Sequence, residues 1–321
     1  MSENKKELPK IKKEMHVRNQ HKERYNFEVL SSNHEPLSVY IKPNPYGNLS
    51  IDFANPEAVL ALNTAILKTH YKLDFWEIPK GFLCPPIPSR ADYIHYIADL
   101  LADTNNNEIP TGNNITCLDV GVGASCIYPI VGNHEYGWSF IGSDISATSL
   151  KSTKQIASNN KRLTSAVKTR LQQNSRFIFE GIINEKEFVD VTVCNPPFHS
   201  SLHEARKANA RKVKNLKRKG SEKPVLNFGG QQNELWCEGG ELKFIRDMIF
   251  ESRRFAKQCL WFTSLVSKKE NLKPLYKTLN KVVALEVKTI DMSQGNKNSR
   301  VLCWTFLTPT EQSKWTTDRW L

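Results

Sequence analysis

The sequence lacks the features of a membrane or secreted protein. None of its apolar runs approaches the roughly 20 residues that a helix needs to cross a bilayer. Its first residues are rich in lysine, but they are not followed by the apolar stretch that a secretory signal has. Both classes are therefore excluded as leading interpretations, and we expect a cytoplasmic protein that does not enter a membrane.

Paired cysteines are missing as well. The seven cysteines contain no C-x-x-C spacing, and several lie inside apolar runs, where a thiol behaves as a small apolar side chain. An odd number of scattered cysteines in such a chain predicts reduced thiols rather than disulfides. A zinc site would need clustered ligands, so the sequence predicts no metal site.

Acidic residues are in short supply in two segments. Against 45 Lys+Arg there are 33 Asp+Glu, for a net charge of +12. Residues 151–176 contain seven basic residues and no acidic one, and residues 202–224 contain nine basic and two acidic residues. Clustered Lys and Arg bind nucleic-acid phosphates by releasing counterions. From the charge alone, a solvated surface and an acidic protein partner remain alternatives.

The order of patterns predicts an α/β fold with a helical N-terminal extension. Residues 1–24 are interpreted as a basic, flexible tail and residues 25–110 as the helical extension, which ends in a polar linker. Over residues 111–310 strands alternate with helices, as in a doubly wound sheet. A basic insertion interrupts this domain at about 200–236, and residues 311–321 form a C-terminal tail.

Hydrophobic periodicity predicts the individual elements. Asn55 is suited to cap a helix that starts at Pro56. The predicted helices cover residues 56–71, 93–101, 149–166 and 241–255. The predicted strands cover residues 115–120, 138–141, 176–179, 188–194, 259–262, 282–287 and 301–306, and the last two form a terminal β-hairpin.

The first strand of the α/β domain leads into a glycine-bearing turn. Asp119 stands there in the pattern D-x-G-x-G with Gly121 and Gly123, whose lack of a side chain allows a tight turn and a close approach to a ligand. A dinucleotide fingerprint needs a third glycine where this sequence has Cys126. The pattern is instead typical of S-adenosylmethionine enzymes, although a plain tight turn would use the same residues.

An acid also ends the next predicted strand. Asp144 follows Asp119 by 25 residues, near the offset at which a carboxylate meets the ribose hydroxyls of a nucleotide in such folds. Its alternative role is to cap the helix that follows. We expect Asp119, Gly121, Gly123 and Asp144 to bind the cofactor.

The sharpest feature is the run Asn195-Pro196-Pro197-Phe198, directly after a predicted strand. The two prolines fix two φ angles and remove two N–H donors, so the loop is stiff and offers the Asn195 side-chain oxygen and the Pro196 carbonyl as acceptors. An exocyclic amine has two N–H donors to match them, and Phe198 offers a face for base stacking. Such alignment promotes attack of the amine on a methyl sulfonium without a strong general base. A rigid strand exit with Phe198 in the core is the alternative.

Several blocks together resemble one family, the bacterial 23S ribosomal RNA adenine-1618 N6-methyltransferases and their eukaryotic relative that methylates a small nuclear RNA. The blocks are D-F-A-N-P-E-A-V from Asp52, R-A-D-Y-I-H-Y from Arg90, L-D-V-G-V-G-A-S-C-I-Y-P from Leu118, C-N-P-P-F from Cys194 and E-G-G-E-L from Glu238. The resemblance implies a Rossmann-like, S-adenosylmethionine-dependent methyltransferase sheet over residues 111–310.

The resemblance also implies site residues. The positions where family members contact S-adenosylmethionine correspond to Arg90, Gly121, Asp144, Ser175 and Asn195. Arg90 could pair with the cofactor carboxylate. The positions where the eukaryotic relative touches RNA correspond to Lys268, Lys269, Lys297 and Arg300. The basic insertion matches a mobile family loop. We expect its RNA contacts to come from Arg206, Lys207, Arg211, Lys212, Lys214, Lys217 and Arg218.

We therefore expect a monomeric enzyme that transfers a methyl group from S-adenosylmethionine to an adenine N6 amine of 23S ribosomal RNA. Its substrate would be the naked RNA or a large-subunit assembly intermediate. Two alternatives stay open. An amino-methyltransferase of guanine N2 or of protein glutamine would use a similar loop. A non-catalytic, RNA-binding ribosome assembly factor would keep the fold but bind no cofactor.

Overall fold

The computed structural model describes residues 15–201, 204, 232–294 and 297–320, and the statements below refer to these residues. The strands are β1 (Lys42–Pro43), β2 (Leu49–Ser50), β3 (Thr116–Val120), β4 (Ser139–Asp144), β5 (Val167–Leu171), β6 (Val189–Cys194), β7 (Cys259–Val266), β8 (Glu286–Gln294) and β9 (Lys297–Thr305). The α-helices are α1 (Phe27–Asn33), α2 (Pro56–Tyr71), α3 (Ile87–Asp103), α4 (Ile127–Tyr136), α5 (Ala147–Ser158), α6 (Lys161–Thr164), α7 (Gln232–Leu235), α8 (Gly240–Ser252), α9 (Leu272–Lys281) and α10 (Pro309–Arg319).

Seven strands form one mixed sheet in the order β5-β4-β3-β6-β7-β9-β8. The first five of these run parallel, and β9 is antiparallel to both β7 and β8. The strand order reverses between β3 and β6, and ligands of open α/β sheets bind at such a switch point, beyond the carboxyl ends of the strands. The predicted Rossmann-like sheet with a terminal hairpin is confirmed.

Helices cover both faces of this sheet. On one face, α2 and α3 of the extension share a buried cluster with β6 and β7 that includes Leu62, Ile94 and Val191. On the other face, Met248 of α8 and Leu275 of α9 belong to a second buried cluster with β7. The extension and the sheet therefore have a common core, although the polar linker between them reads as a boundary in the sequence.

Each of the two long helices of the extension has a proline in its first turn. α2 starts at Pro56 as predicted, because the Asn55 side chain accepts hydrogen bonds from the first-turn N–H groups. α3 starts at Ile87, six residues before the predicted start, with Pro88 in its first turn. The earlier start places Arg90 within the first turn of α3.

Residues 15–24 pack against the extension, which corrects the prediction that a flexible tail reaches residue 24. Asn19 is buried, and the Arg18 guanidinium donates to Asp99 of α3 at 2.6 Å. Because such partners are far away in the sequence, the local composition, which is basic and polar, gave no sign of them. Residues 1–14 lie outside the described residues.

The third strand along the α/β domain is Val167–Leu171, and not residues 176–179 as the sequence predicted. β5 lies at the edge of the sheet and contains the exposed Lys168, so it lacks the apolar pattern of an inner strand. Residues 176–179 belong to an irregular loop, in which the buried Phe179 donates its N–H to Glu251 at 2.9 Å. The apolar run there reflects the packing of a loop, which periodicity alone does not distinguish from a strand.

The helix predicted over residues 149–166 is instead two helices, α5 and α6. They are separated at Asn160, whose buried side chain accepts from the N–H groups of Asp74 and Phe75 at 2.8 and 3.2 Å. This contact with the extension fixes the chain where the helix breaks. It joins segments that are distant in sequence, so helical periodicity could not predict it.

Two further predictions near the C-terminus are corrected. The strand expected over residues 282–287 begins only at Glu286, because the chain turns after α9. Residues 311–321 were expected to form a tail, but most of them belong to α10, which starts with a capping box. The Trp315 indole of α10 donates to the buried Asp190 carboxylate at 2.7 Å, which holds this helix against β6.

The described residues also bear on membranes, metals and disulfides. Within them, no helix combines the length and the apolar character needed to span a bilayer. The same part of the chain holds no group of three or more side chains placed to bind a metal ion. All seven cysteines are free thiols.

Candidate active site

The glycine turn lies at the carboxyl end of β3. Gly121 and Gly123 adopt φ angles of +75° and +65°, which disfavour residues with a Cβ. The N–H groups of Gly121 and Val122 both donate to the Ser143 carbonyl at 2.9 Å. The turn is therefore fixed to the end of β4, and its conformation explains why both glycines are needed.

Asp144 ends β4 beside this turn. Its Oδ2 accepts from the Gly123 N–H at 3.0 Å, and its Oδ1 accepts from the Ser146 N–H at 2.8 Å. Burial raises the pKa of the Asp144 carboxyl, and these backbone hydrogen bonds oppose the rise. The carboxylate orders both the glycine turn and the chain that enters α5. Each of its oxygens keeps a lone pair for a further donor.

Asp119 is fully buried, and neither of its carboxylate oxygens has a hydrogen-bond partner among the described residues. Burial and the nearby charge of Asp144 hold the pKa of this carboxyl well above its usual range, while the positive charge of Arg90 opposes them. Buried carboxylates are normally paired or hydrogen-bonded. The Asp119 carboxylate therefore needs a hydrogen-bond donor, and none of the described residues supplies one.

Arg90 reaches this end of the sheet from the helical extension. Its guanidinium carbon is 5.8 Å from the centre of the Tyr128 ring, in the first turn of α4. Its charge acts on the pKa of both Asp119 and Tyr128. Arg90 thus lies near Tyr128 and acts electrostatically on Asp119, and the cofactor contact that the resemblance implies for it stays a prediction. The sequence analysis gave Tyr128 no role, because a tyrosine in an apolar helix indicates a core position.

The N-P-P-F loop, residues 195–198, leaves β6 next to the glycine turn. Val120 and Cys194 are paired across β3 and β6, so the turn and the loop start at the same level of the sheet. The side-chain oxygen of Asn195 is buried and has no hydrogen-bond partner among the described residues. Pro196 is buried and Phe198 is half-buried. The loop therefore holds an unsatisfied acceptor at the switch point of the sheet.

The helical extension also supports the N-P-P-F loop. The Tyr93 hydroxyl of α3 accepts from the Cys194 N–H at 3.2 Å and lies 2.7 Å from the Thr263 hydroxyl of β7. Thr263 in turn donates to the Thr192 carbonyl at 2.6 Å. These buried contacts join α3, β6 and β7 at the residue before Asn195. Sequence reasoning missed Tyr93, since helical spacing among apolar residues indicates only a core position.

A second segment, residues 232–237, lies against the same site. His199 and Trp236 face each other in a parallel β-bridge, in which the His199 N–H donates to the Leu235 carbonyl at 3.2 Å and the Cys237 N–H donates to the His199 carbonyl at 3.1 Å. Glu234 accepts from the Leu83 N–H of the extension at 3.1 Å. Its other oxygen is 3.6 Å from the place that a Cβ on Gly123 would take. This segment therefore connects the N-P-P-F loop, the extension and the glycine turn.

The E-G-G-E-L block anchors the start of α8. Gly239 and Gly240 have φ angles of +75° and +64°, so this bend in the chain favours glycine. The buried Glu241 accepts from the Ser267 N–H at 2.7 Å and from the Asn271 side chain at 2.6 Å. The block therefore fixes the chain that follows β7, at the same edge of the sheet as the N-P-P-F loop.

The remaining predicted residues are placed in different ways. Ser175 is exposed in a turn after β5, two strands away from β3. Lys268 and Lys269 are exposed beyond the carboxyl end of β7, and Arg300 pairs in register with Val266 at that end. Lys297 begins β9. The predicted RNA-binding residues of the basic insertion lie outside the described residues: Arg206, Lys207, Arg211, Lys212, Lys214, Lys217 and Arg218.

A family model described as RNA methyltransferase matches residues 9–308 of the chain. A Cytophaga hutchinsonii protein named ribosomal RNA large subunit methyltransferase F is 53% identical over 317 residues, which cover 99% of this chain and 98% of that protein. A Flavobacterium johnsoniae protein of the same name is 55% identical over 306 residues, which cover 95% of this chain and 97% of that protein.

Solved structures share the fold. The human METTL16 catalytic domain in complex with a MAT2A 3′UTR hairpin has a TM-score of 0.77 and 28% identity, covering 92% of this chain and 96% of that one. The N-terminal domain of human METTL16 in complex with SAH has a TM-score of 0.71 and 25% identity, covering 92% of this chain and 99% of that one. The predicted family and enzyme class are thereby confirmed, and the chain belongs to the RNA methyltransferase family.

Proposed function

We propose that the protein transfers a methyl group from S-adenosylmethionine to the N6 amine of an adenine in large-subunit ribosomal RNA. The observation that carries this proposal is the buried side-chain oxygen of Asn195, which lacks a partner among the described residues. It lies on a stiff loop at the switch point of the sheet, where ligands of such folds bind. The names of the bacterial relatives support ribosomal RNA as the substrate class.

The residues around the glycine turn fit S-adenosylmethionine. The cofactor ammonium offers the donor that the buried Asp119 carboxylate lacks, and the cofactor carboxylate matches the guanidinium of Arg90. Asp144 keeps lone pairs for the two ribose hydroxyls. When bound, the cofactor supplies an electrophilic methyl group on a sulfonium. The human METTL16 structure with SAH supports a cofactor of this kind.

The chain itself contributes the orientation of the amine. The lone pair of an adenine N6 amine is delocalised into the ring, so the free amine is a weak nucleophile. Asn195 Oδ1 and the Pro196 carbonyl would accept the two amine hydrogens and hold the nitrogen in a reactive geometry. Phe198 would support the base by stacking. Because the amine proton leaves after the transfer, the site needs no strong general base.

Exposed cations near the loop suit an RNA substrate. Lys268 and Lys269 lie beyond the end of β7, which neighbours β6 in the sheet. The Lys268 ammonium is 3.8 Å from Glu204, a loose contact that a phosphate could replace. We infer that these residues, Arg300 and the basic insertion contact the RNA backbone. We also propose that the enzyme acts as a monomer in the cytoplasm.

Asn195→Ala tests the role of the orphaned oxygen. We expect the turnover of large-subunit RNA to fall by about 100-fold or more, because the amine loses an orienting acceptor, while the dissociation constant for RNA stays within a factor of about two. Single-turnover methylation and filter binding measure the two effects. Asn33→Ala, at an exposed position of α1, is the matched control. An equal loss of turnover and RNA affinity would contradict the role of Asn195.

A further inference from the structure

The indole N–H of Trp236 is buried and has no hydrogen-bond partner among the described residues. An indole nitrogen can only donate, and buried donors in folded proteins are nearly always bonded. Trp236 therefore lacks an acceptor in the described part of the chain, just as Asn195 lacks a donor.

Trp236 is held next to the N-P-P-F loop. It lies opposite His199, the residue after Phe198, in a parallel β-bridge whose hydrogen bonds join His199 to the backbone of Leu235 and Cys237. Two residues earlier, Glu234 reaches the glycine turn. The unpaired donor thus lies on the segment that borders both the N-P-P-F loop and the proposed cofactor site.

We propose that the Trp236 N–H donates to N1 of the target adenine while Asn195 accepts from its N6 amine, an inference that rests on the proposed function. On its Watson–Crick edge, adenine presents a donor at N6 beside an acceptor at N1, which complements an acceptor and a donor in the protein. Guanine presents an acceptor at O6 and a donor at N1, so both contacts would fail. Buried polar groups reject a mismatched base because they would be left unpaired.

The contact is assigned to N1 and not to N7 because only N1 distinguishes adenine from guanine. N7 is an acceptor in both purines, so a donor placed there could not distinguish them. N1 is an acceptor in adenine only, and it is accessible only when the base is unpaired. The inference therefore makes Trp236 a specificity-determining residue for an adenine that is taken out of any helix.

Trp261 provides a matched control. Its indole N–H is also buried without a partner among the described residues. It lies in the middle of β7, where Lys288 is 5.2 Å from its ring centre, and not on a segment that borders the N-P-P-F loop. If an unpaired indole N–H were only a tolerated defect of packing, the two tryptophans would behave alike.

A substitution cycle tests the inference. The RNA is a large-subunit fragment containing the methylated adenine, with that base as adenine, 1-deazaadenine or 7-deazaadenine. Each RNA is combined with the wild type, Trp236→Phe and Trp261→Phe. We expect the 1-deaza change to lower kcat/KM in the wild type and in Trp261→Phe. In both proteins the decrease should be about 3- to 10-fold larger than in Trp236→Phe, as expected for the loss of one hydrogen bond. The 7-deaza change should affect all three proteins equally.

Other results would overturn the inference. Equal 1-deaza effects in the wild type and Trp236→Phe would show that the indole does not bind N1. A 7-deaza effect that is larger in the wild type than in Trp236→Phe would place the indole contact at N7 instead of N1. If Trp236→Phe does not fold, wild-type binding decides. Weaker binding of the 1-deaza than of the 7-deaza RNA supports the inference, and equal binding refutes it. Absence of N6-methyladenine with unmodified RNA would instead refute the proposed function.

Discussion

At the residue scale, the proposed site contains several incompletely bonded side chains. Asp119, Asn195 and Trp236 each bury a polar atom without a partner among the described residues. An unsatisfied buried group destabilises a fold by about 1–3 kcal/mol, and a ligand that pairs with it removes this cost. Asp119 and Asn195 could be predicted because each belongs to a contiguous motif. Trp236 could not, because its place depends on pairing with the distant His199.

Asp119→Asn should stabilise the cofactor-free protein at neutral pH. The pKa of Asp119 is raised in the folded state, so the fold binds this proton more tightly than the unfolded chain does. Ionisation therefore destabilises the wild type as the pH rises above about 4. The amide does not ionise, so the gap in melting temperature should widen from acid to neutral pH, while affinity for S-adenosylmethionine falls.

Calorimetric melting across this pH range and titration with S-adenosylmethionine measure the two effects of Asp119→Asn. Asp318→Asn removes an exposed carboxylate of α10 and should change neither the melting profile nor the cofactor affinity. A melting-temperature gap that stays constant with pH would show that the Asp119 proton does not govern stability.

At the scale of elements, the sequence predicts features that depend on neighbouring residues and misses those that depend on tertiary contacts. α2 was predicted with correct ends because Asn55 and Pro56 are neighbours in the sequence. The break between α5 and α6 was missed because it accompanies a contact of Asn160 with the extension. β5 was missed because an exposed edge strand has little apolar pattern. The role of α3 in the site was only partly seen, through Arg90 and not through Tyr93.

Tyr93→Phe tests whether α3 positions the N-P-P-F loop. The variant keeps the buried ring but leaves the Cys194 N–H without its acceptor. We expect kcat to fall by roughly 10-fold, stability to fall by about 1–3 kcal/mol, and the affinity for S-adenosylmethionine to stay unchanged. Steady-state methylation assays measure kcat, urea unfolding measures stability, and calorimetric titration measures the affinity for S-adenosylmethionine.

Tyr276→Phe is the matched control for Tyr93→Phe. It removes an exposed hydroxyl that lies 2.7 Å from Thr289, at the hairpin rather than at the loop. It should leave kcat unchanged. A Tyr93→Phe protein that loses stability but keeps full kcat would limit this hydroxyl to a structural role.

At the scale of the whole molecule, charge is divided between regions. The net charge of +12 hides an acidic stretch, since residues 25–150 contain 13 acidic and 5 basic residues. The basic segments 151–176 and 202–224 carry the excess. The second of them follows the N-P-P-F loop directly in the sequence.

The shared core shows why a linker in the sequence need not separate two folding units.

Neutralising Lys212, Lys214, Lys217 and Arg218 to glutamine should weaken RNA binding and flatten its salt dependence. Each lost phosphate contact reduces the slope of log affinity against log salt by about 0.7–0.9. Filter binding over a range of salt concentrations measures the slope. The control neutralises the same number of exposed lysines elsewhere: Lys186, Lys277, Lys281 and Lys314. Identical slopes for the two variants would mean that the basic insertion makes no specific contribution.

The identity of the methylated base decides whether the protein is an adenine-N6 methyltransferase of large-subunit ribosomal RNA. Large-subunit ribosomal RNA that lacks the modification is incubated with the protein and S-adenosylmethionine, digested to nucleosides and analysed by mass spectrometry. We expect one new N6-methyladenosine per RNA molecule, and none with Asn195→Ala. New N2-methylguanosine, or the absence of any new methylated nucleoside, would contradict the proposed function.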